Sequence, residues 1–304
     1  MAFPAMTRRT FTMTGAALCM AAAPARAVRL GGPIYLRSDD PRELAREHRR
    51  LGYRAAYVPA VSVGETARIK EIRDAFAAED VMIAEVGAWV NMIDPDPEKR
   101  KKNMQYVQDR LALADEIGAR CCVNIGGSYN PKLWDGPHPA NLGRGYFEAT
   151  VANCRALIDA VKPKRTKFAL EMMGWALPNT AASYLQFIKA IDRPAFGAHM
   201  DICNIIESAD TYYRNGEVIR DCFRNMGRYI VSCHAKDVGP RGTHIAEVIP
   251  GRGGLDYRAY LREIAALSAD VPLMLEHLQT AAEYEEGAKY IRGVAAECGV
   301  TLAS

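Results

Sequence analysis

The chain has 304 residues, 49% of them hydrophobic and 25% charged, and no apolar run approaches the roughly 18 residues of a membrane span. Its 39 basic and 36 acidic residues nearly balance, and three of the basic ones, Arg8, Arg9 and Arg26, fall in the first 27 residues, where no Asp or Glu occurs. The remainder, with 36 of each sign, has no electrostatic ground for gripping a polyphosphate backbone, so a soluble globular protein without a nucleic-acid partner is expected.

In chain order, Thr7-Arg8-Arg9-Thr10-Phe11 comes first, then a mildly apolar stretch to Ala23, then Ala25-Arg26-Ala27 with the small-x-small shape of a cleavage site. This resembles a twin-arginine leader, so residues 1–27 are expected to be a signal peptide and the mature chain, 28–304, to be periplasmic or otherwise exported. Leu18 before Cys19 is a poor fit to a lipoprotein cleavage site, and no stable membrane anchor is expected. The seven remaining cysteines are odd in number and show no CxxC spacing. Several lie in apolar runs, so buried thiols are expected in place of a disulfide framework.

Beyond the leader, eight short apolar runs read as strands: Pro33–Leu36, Ala55–Ala60, Val81–Trp89, Cys121–Ile125, Phe168–Met173, Phe196–Ile202, Tyr229–His234 and Leu273–Leu278. Between them, Arg42–Leu51, Lys99–Ile117, Tyr146–Val161, Tyr257–Leu267 and Ala282–Cys298 carry helical spacing. Asp40-Pro41 and Asp96-Pro97 mark helix starts, and Gly52, Gly118 and Gly299 mark stops. Strands joined by helices run parallel, and eight in about 277 residues (304 − 27) predict an α/β fold, a single-domain (β/α)8 TIM barrel over 28–304. A doubly wound sheet is the alternative, but Gly31-Gly32 precedes the first run instead of following it. The later Gly251-Arg252-Gly253-Gly254 stands where such barrels often bind anions, and is kept as a candidate cradle.

In a parallel barrel the chemistry lies where strands end, and four consecutive runs end on polar residues of one kind. Glu171 interrupts an apolar fifth run, His199 and Asp201 share a face of the sixth, His234 and Lys236 share a face of the seventh, and Glu276 closes the eighth. Three carboxylates buried together require a cation, and a set of three carboxylates and one imidazole suits a harder ion than structural zinc. Glu171, Asp201, His234 and Glu276 are therefore the expected ligands of one divalent metal. Mn²⁺ is the expected ion, with Mg²⁺ and Co²⁺ as alternatives.

That ligand series, with Pro250-Gly251-Arg252-Gly253-Gly254-Leu255-Asp256-Tyr257 before its last member, resembles the xylose isomerase-like barrels. More narrowly it is similar to the sugar phosphate isomerase/epimerase group that includes the ketose 3-epimerases and inosose dehydratases. Two positions depart from the ketose 3-epimerase pattern: Asn204 stands where a His follows the metal Asp, and Lys236 stands where a Glu is common.

The resemblance implies that Glu171 and Glu276 serve both as ligands and as the catalytic acid/base pair, while Asp201 and His234 hold the ion. Proton removal beside a sugar carbonyl gives an enediolate, which a divalent ion stabilises. Lys236, Asn204, Arg252 and His199 are the candidate substrate-binding residues. His199 also reads as a deeper layer residue, Lys236 as a salt-bridge partner of the cluster and Arg252 as a surface residue. Trp89, Trp134 and Trp175 are candidate walls for a sugar face, and His138, in the loop after the fourth strand, a candidate cap on the pocket. The expected activity is a metal-dependent isomerase or epimerase of an unphosphorylated saccharide, since free sugar phosphates belong to the cytosol. The same site run to elimination would make a lyase or dehydratase of a keto-sugar or keto-glycoside. An abasic-site endonuclease is disfavoured by the six histidines and the neutral body, and a non-catalytic sugar-binding protein requires a purely structural metal. The partner is a small saccharide, and the sequence leaves a homo-oligomer open.

Overall fold

A computed structural model describes residues 26–304. Nearly all of the expected leader lies outside the described residues. Eight parallel strands close into a ring: β1 (Arg29–Gly31), β2 (Ala55–Tyr57), β3 (Met82–Gly87), β4 (Cys121–Asn124), β5 (Lys167–Glu171), β6 (Phe196–Met200), β7 (Ile230–Ala235) and β10 (Pro272–Leu275). β1 pairs with both β2 and β10, so no edge is left open and the doubly wound alternative falls away. The chain folds as a (β/α)8 TIM barrel.

The connecting helices are α1 (Pro41–Arg50), α2 (Thr66–Ala78), α3 (Pro97–Ile117), α4 (Arg144–Val161), α5 (Ala181–Ile191), α6 (Ala209–Tyr213), α7 (Asn215–Met226), α8 (Tyr257–Ala265) and α9 (Ala281–Cys298). The expected caps form. The Asp40 carboxylate accepts from Arg42 N–H, that of Asp96 accepts from Glu98 and Lys99 N–H, and Gly118 and Gly299 take the left-handed conformation that stops α3 and α9. Among the described residues no helix is long and apolar enough to cross a membrane. Six of the seven described cysteines are buried and all are free, and burial pushes the Cys122 and Cys222 thiols up to about 12, as expected of packing residues.

Two elements differ from expectation. The first strand is Arg29–Gly31, not Pro33–Leu36, and Tyr35 and Leu36 lie exposed. Pro33 has no N–H to give a ladder, whereas Gly31 sits where the sheet leaves no room for a side chain. A Cβ there would lie 2.6 Å from Met274 Sδ and closer still to the Ala55 carbonyl oxygen. The second is an antiparallel hairpin outside the ring, β8 (Asp237–Arg241) and β9 (His244–Val248), turning at Gly242-Thr243 with Gly242 at φ 64°.

Buried tyrosines on the helices hold the strand ends that carry the site. Tyr260 on α8 donates its hydroxyl to the His234 carbonyl at 3.0 Å, and Tyr257 donates to the Lys236 carbonyl at 2.7 Å. Tyr184 on α5 donates to the Gly197 carbonyl at 3.1 Å.

Candidate metal centre

β5, β6, β7 and β10 are neighbours in the ring, and each ends within one residue of one member of the expected ligand set. Parallel pairing sets Glu171 beside His199 and His234 beside Met274, so Asp201 and Glu276 emerge one step above these rows, at the same mouth. His234 Nδ1 lies 3.3 Å from Glu171 Oε1, 3.4 Å from Asp201 Oδ2 and 3.0 Å from Glu276 Oε1. One potential ligand atom from each of the four residues falls within 4.8 Å of all the others.

Lys236, only 2% exposed, reaches Asp201 Oδ2 at 2.6 Å, Glu276 Oε1 at 2.8 Å and Glu247 Oε1 at 3.0 Å. It is placed as a salt-bridge partner of the cluster, shared among three carboxylates. Its ammonium also donates to Asn204 Oδ1 at 3.2 Å, while Asn204 Nδ2 donates to Glu171 Oε1 at 3.0 Å. The two departures from the epimerase pattern thus touch one another and act together on the ligand cluster.

Burial by itself lowers the pKa of an amine or imidazole, but here surrounding charge prevails. Asp201 and Glu276 hold Lys236 well above its ordinary value, and Glu276 and Glu85 do the same for His234. Burial would raise all three acids. It raises Glu171, whereas Lys236 pulls Asp201 well down and His234 pulls Glu276 down.

The donor set fits a divalent ion. Three carboxylates against one ammonium leave a charge of about −2 in a buried site, a state that is costly without a cation. Glu276 Oε1, buried and close to both His234 and Lys236, forms no hydrogen bond of acceptable angle with either. Glu171, Asp201, His234 and Glu276 would hold the ion, with oxygen ligands in the majority.

Glu85, to which the sequence reading gives no role, supports this group from below. It lies on β3, across the ring from β7, and is 1% exposed. Its Oε2 accepts from His234 Nε2 at 3.2 Å and its Oε1 from His199 Nε2 at 2.9 Å, with Ser232 Oγ as a third donor. A carboxylate only accepts, so His234 donates from Nε2 to Glu85, and with an ion bound Nδ1 would be the bare nitrogen turned toward the three acids. Burial would raise the Glu85 carboxyl, but His234 and His199 hold it far below the ordinary range. His199 is fully buried in this lower layer and does not reach the mouth, so its expected part in substrate binding is corrected to support of Glu85. The clue to Glu85 was local: an acid inside the apolar run Met82-Ile83-Ala84-Glu85-Val86, the same pattern that marks Glu171.

The glycine-rich loop is also corrected as an anion cradle. Asp237 Oδ1 accepts from Val238 and Leu255 N–H at 2.8 and 2.9 Å, and its Oδ2 accepts from Gly251 and Gly253 N–H at 2.9 and 3.2 Å. The chain fills its own nest with its own carboxylate. Arg252 points away from the site and forms a two-pronged ion pair with Glu286 of α9, 2.7 Å at each prong, so the surface reading holds for it. His138 caps a helical turn, its Nδ1 accepting from Ala140 N–H at 3.2 Å. Trp175, 59% exposed, lines a cleft beside the cluster.

The sequence profile of the family described as xylose isomerase-like TIM barrel matches residues 45–294. The chain belongs to the xylose isomerase-like TIM barrel family. D-psicose 3-epimerase from Clostridium cellulolyticum H10 is similar in fold at a TM-score of 0.66 and 15% identity, covering 91% of this chain and 100% of its own. The 3-keto-D-glucoside 4-epimerase of E. coli is similar at 0.63 and 14% identity, covering 88% and 99%. A xylose isomerase-like TIM barrel protein from Mycobacterium smegmatis in complex with magnesium is similar at 0.60 and 19% identity, covering 84% and 88%. A search of curated proteins gives no match.

Proposed function

We propose that the protein is a divalent-metal-dependent isomerase or epimerase acting on an unphosphorylated saccharide, with Mn²⁺ as the ion. The convergence of Glu171, Asp201, His234 and Glu276 at one barrel mouth carries this reading. A bound divalent ion would supply Lewis-acid stabilisation of the negative charge that builds on adjacent sugar oxygens when a C–H proton leaves.

The protein's own groups supply the rest. Glu171 and Glu276 stand on β5 and just beyond β10, with β6 and β7 between them, and so flank the mouth from two sides. Glu276 Oε1, free of any well-formed hydrogen bond, accepts the proton, and Glu171, fixed by Asn204, returns one, to the neighbouring carbon in an isomerisation or to the opposite face of the same carbon in an epimerisation. Lys236 keeps Asp201 and Glu276 ionised, and Glu85 holds His234 in register. The occupied glycine nest supports a substrate without a phosphate. The same proton removal, followed by loss of a group beta to the carbonyl, would make the protein a lyase. The open cleft next to Asn204, which leaves room for such a group, favours keeping that second course. The leader supports placing the reaction outside the cytoplasm.

A screen of ketoses and oxidised glycosides in D₂O tests the reading. Deuterium entering the sugar without loss of a substituent supports isomerisation or epimerisation, release of water or an aglycone supports elimination, and neither with any candidate contradicts both.

A further inference from the structure

A cleft of about 650 Å³ lies beside the metal centre. Asn204, which bonds Glu171, and Glu247, which pairs with Lys236, form its inner end. From there it runs between the turn after β5 and the β8–β9 hairpin toward α6, past Trp175, Glu207, Tyr212, Tyr213 and His244. Its volume lies well inside the roughly 300–1,000 Å³ of pockets that take drug-sized molecules, and it lies outside the four ligands, leaving room for a group beyond the one held at the ion.

The walls are of two chemical kinds. Trp175 and Tyr213 are 59% and 82% exposed, and Tyr213 meets Tyr212 edge to face with ring centroids 5.4 Å apart. Trp175 is not on a slack loop. Its carbonyl accepts from the fully buried Asn141 Nδ2 at 3.2 Å, and its turn is closed by a bridge between Met173 and Ala176. A large apolar ring held in water on a fixed turn is costly unless something covers it, and a sugar ring offers one flat face of C–H groups that an aromatic ring covers well. Beside Trp175, against Gly174, Glu207 has no charged partner among the described residues, and partial burial alone moves its carboxyl upward. Gly174 leaves the space Glu207 occupies, because a Cβ there would overlap its carboxylate. Free acceptors beside exposed aromatic faces match the hydroxyl rim and C–H face of a pyranose.

We propose that this cleft binds the second, non-reacting sugar unit of a two-ring substrate, with Trp175 against its face and Glu207 on its hydroxyls. The natural substrate class is then a disaccharide-like glycoside, not a free monosaccharide. This deepens the saccharide reading of the mouth and rests on it.

The test is calorimetric binding to the Mn²⁺-loaded protein, comparing D-fructose with maltulose and turanose, and D-glucose with maltose and phenyl β-D-glucoside. At least one two-sugar ligand is expected to bind tenfold or more tightly than its single-ring parent. Trp175→Ala, which removes a side chain that is 59% exposed, is expected to weaken the two-sugar ligand about five- to tenfold and the parent less than twofold. Equal affinity for one and two rings, equal loss on Trp175→Ala, or no binding of any of these sugars overturns the proposal. A phenyl glucoside that gains as much as maltose shows a wall for any flat ring and overturns the assignment of a sugar unit. Deuterium exchange separates the two claims: two-ring preference without exchange refutes the reaction and keeps the cleft, whereas exchange without that preference does the reverse.

Discussion

Glu85→Gln is the substitution that probes the metal centre without touching a ligand. The wild-type carboxylate receives three donors, His199 Nε2 at 2.9 Å, His234 Nε2 at 3.2 Å and Ser232 Oγ. A glutamine has nearly the same shape but only one acceptor oxygen, and its amide nitrogen must face one side of this trio. If it faces His199 and Ser232, their donors lose their acceptor in a fully buried layer. If it faces His234, it donates to Nε2 and drives the imidazole proton onto Nδ1, the atom aimed at the three carboxylates and needed for the ion. Loss of such a supporting carboxylate typically costs about 10–100-fold in metal affinity, or about 1.4–2.7 kcal/mol. Competition titration of Mn²⁺ against a chelating dye reads this directly, and long-range ¹⁵N NMR of histidine-labelled protein reads the tautomer. An affinity within twofold of wild type, with His234 still protonated on Nε2, would refute the orienting role.

Removing metal with a chelator is expected to lower the melting temperature by about 4–5 °C relative to protein held at a hundredfold excess over the dissociation constant, since ligation of the folded state alone is worth about 2.7 kcal/mol there. Superimposable melting curves would contradict a buried dication site. Asp237→Asn replaces two acceptor oxygens by one, leaving amides of the glycine loop unpaired, and is expected to destabilise by about 1–3 kcal/mol in urea unfolding without creating affinity for inorganic phosphate. An unchanged midpoint would show that the nest does not depend on its carboxylate. Gly31→Ala forces a methyl against the Ala55 carbonyl and Met274 Sδ, with an expected cost of about 1–3 kcal/mol by the same assay. A neutral result would mean that β1 can shift away from β2.

The sequence exposes those parts of this molecule whose signals are local. An acid within an apolar run, or two polar residues two positions apart near a strand end, is visible without knowing any partner, and Glu171, Asp201, His234 and Glu276 come together as that pattern implies. The first strand is less legible because its shortness and its glycine are answers to close approach by Ala55 and Met274, neighbours far away in sequence. The roles of Glu85 and Lys236 are set across the ring. Only closure of the barrel brings Glu85 to His234, and only the hairpin brings Glu247 to Lys236. The Gly251–Gly254 loop invites an anion on its sequence, yet the anion it meets is Asp237, fourteen residues before its first glycine.

Metal content and affinity of the purified protein, measured by elemental analysis and titration alongside Glu171→Gln and Glu276→Gln, address the centre most directly. One equivalent of divalent metal in the wild type, falling well below one in both variants, is the expected result. Undiminished metal in those variants, or none retained by the wild type after equilibration with Mn²⁺, Mg²⁺ or Co²⁺, would contradict the four-residue site.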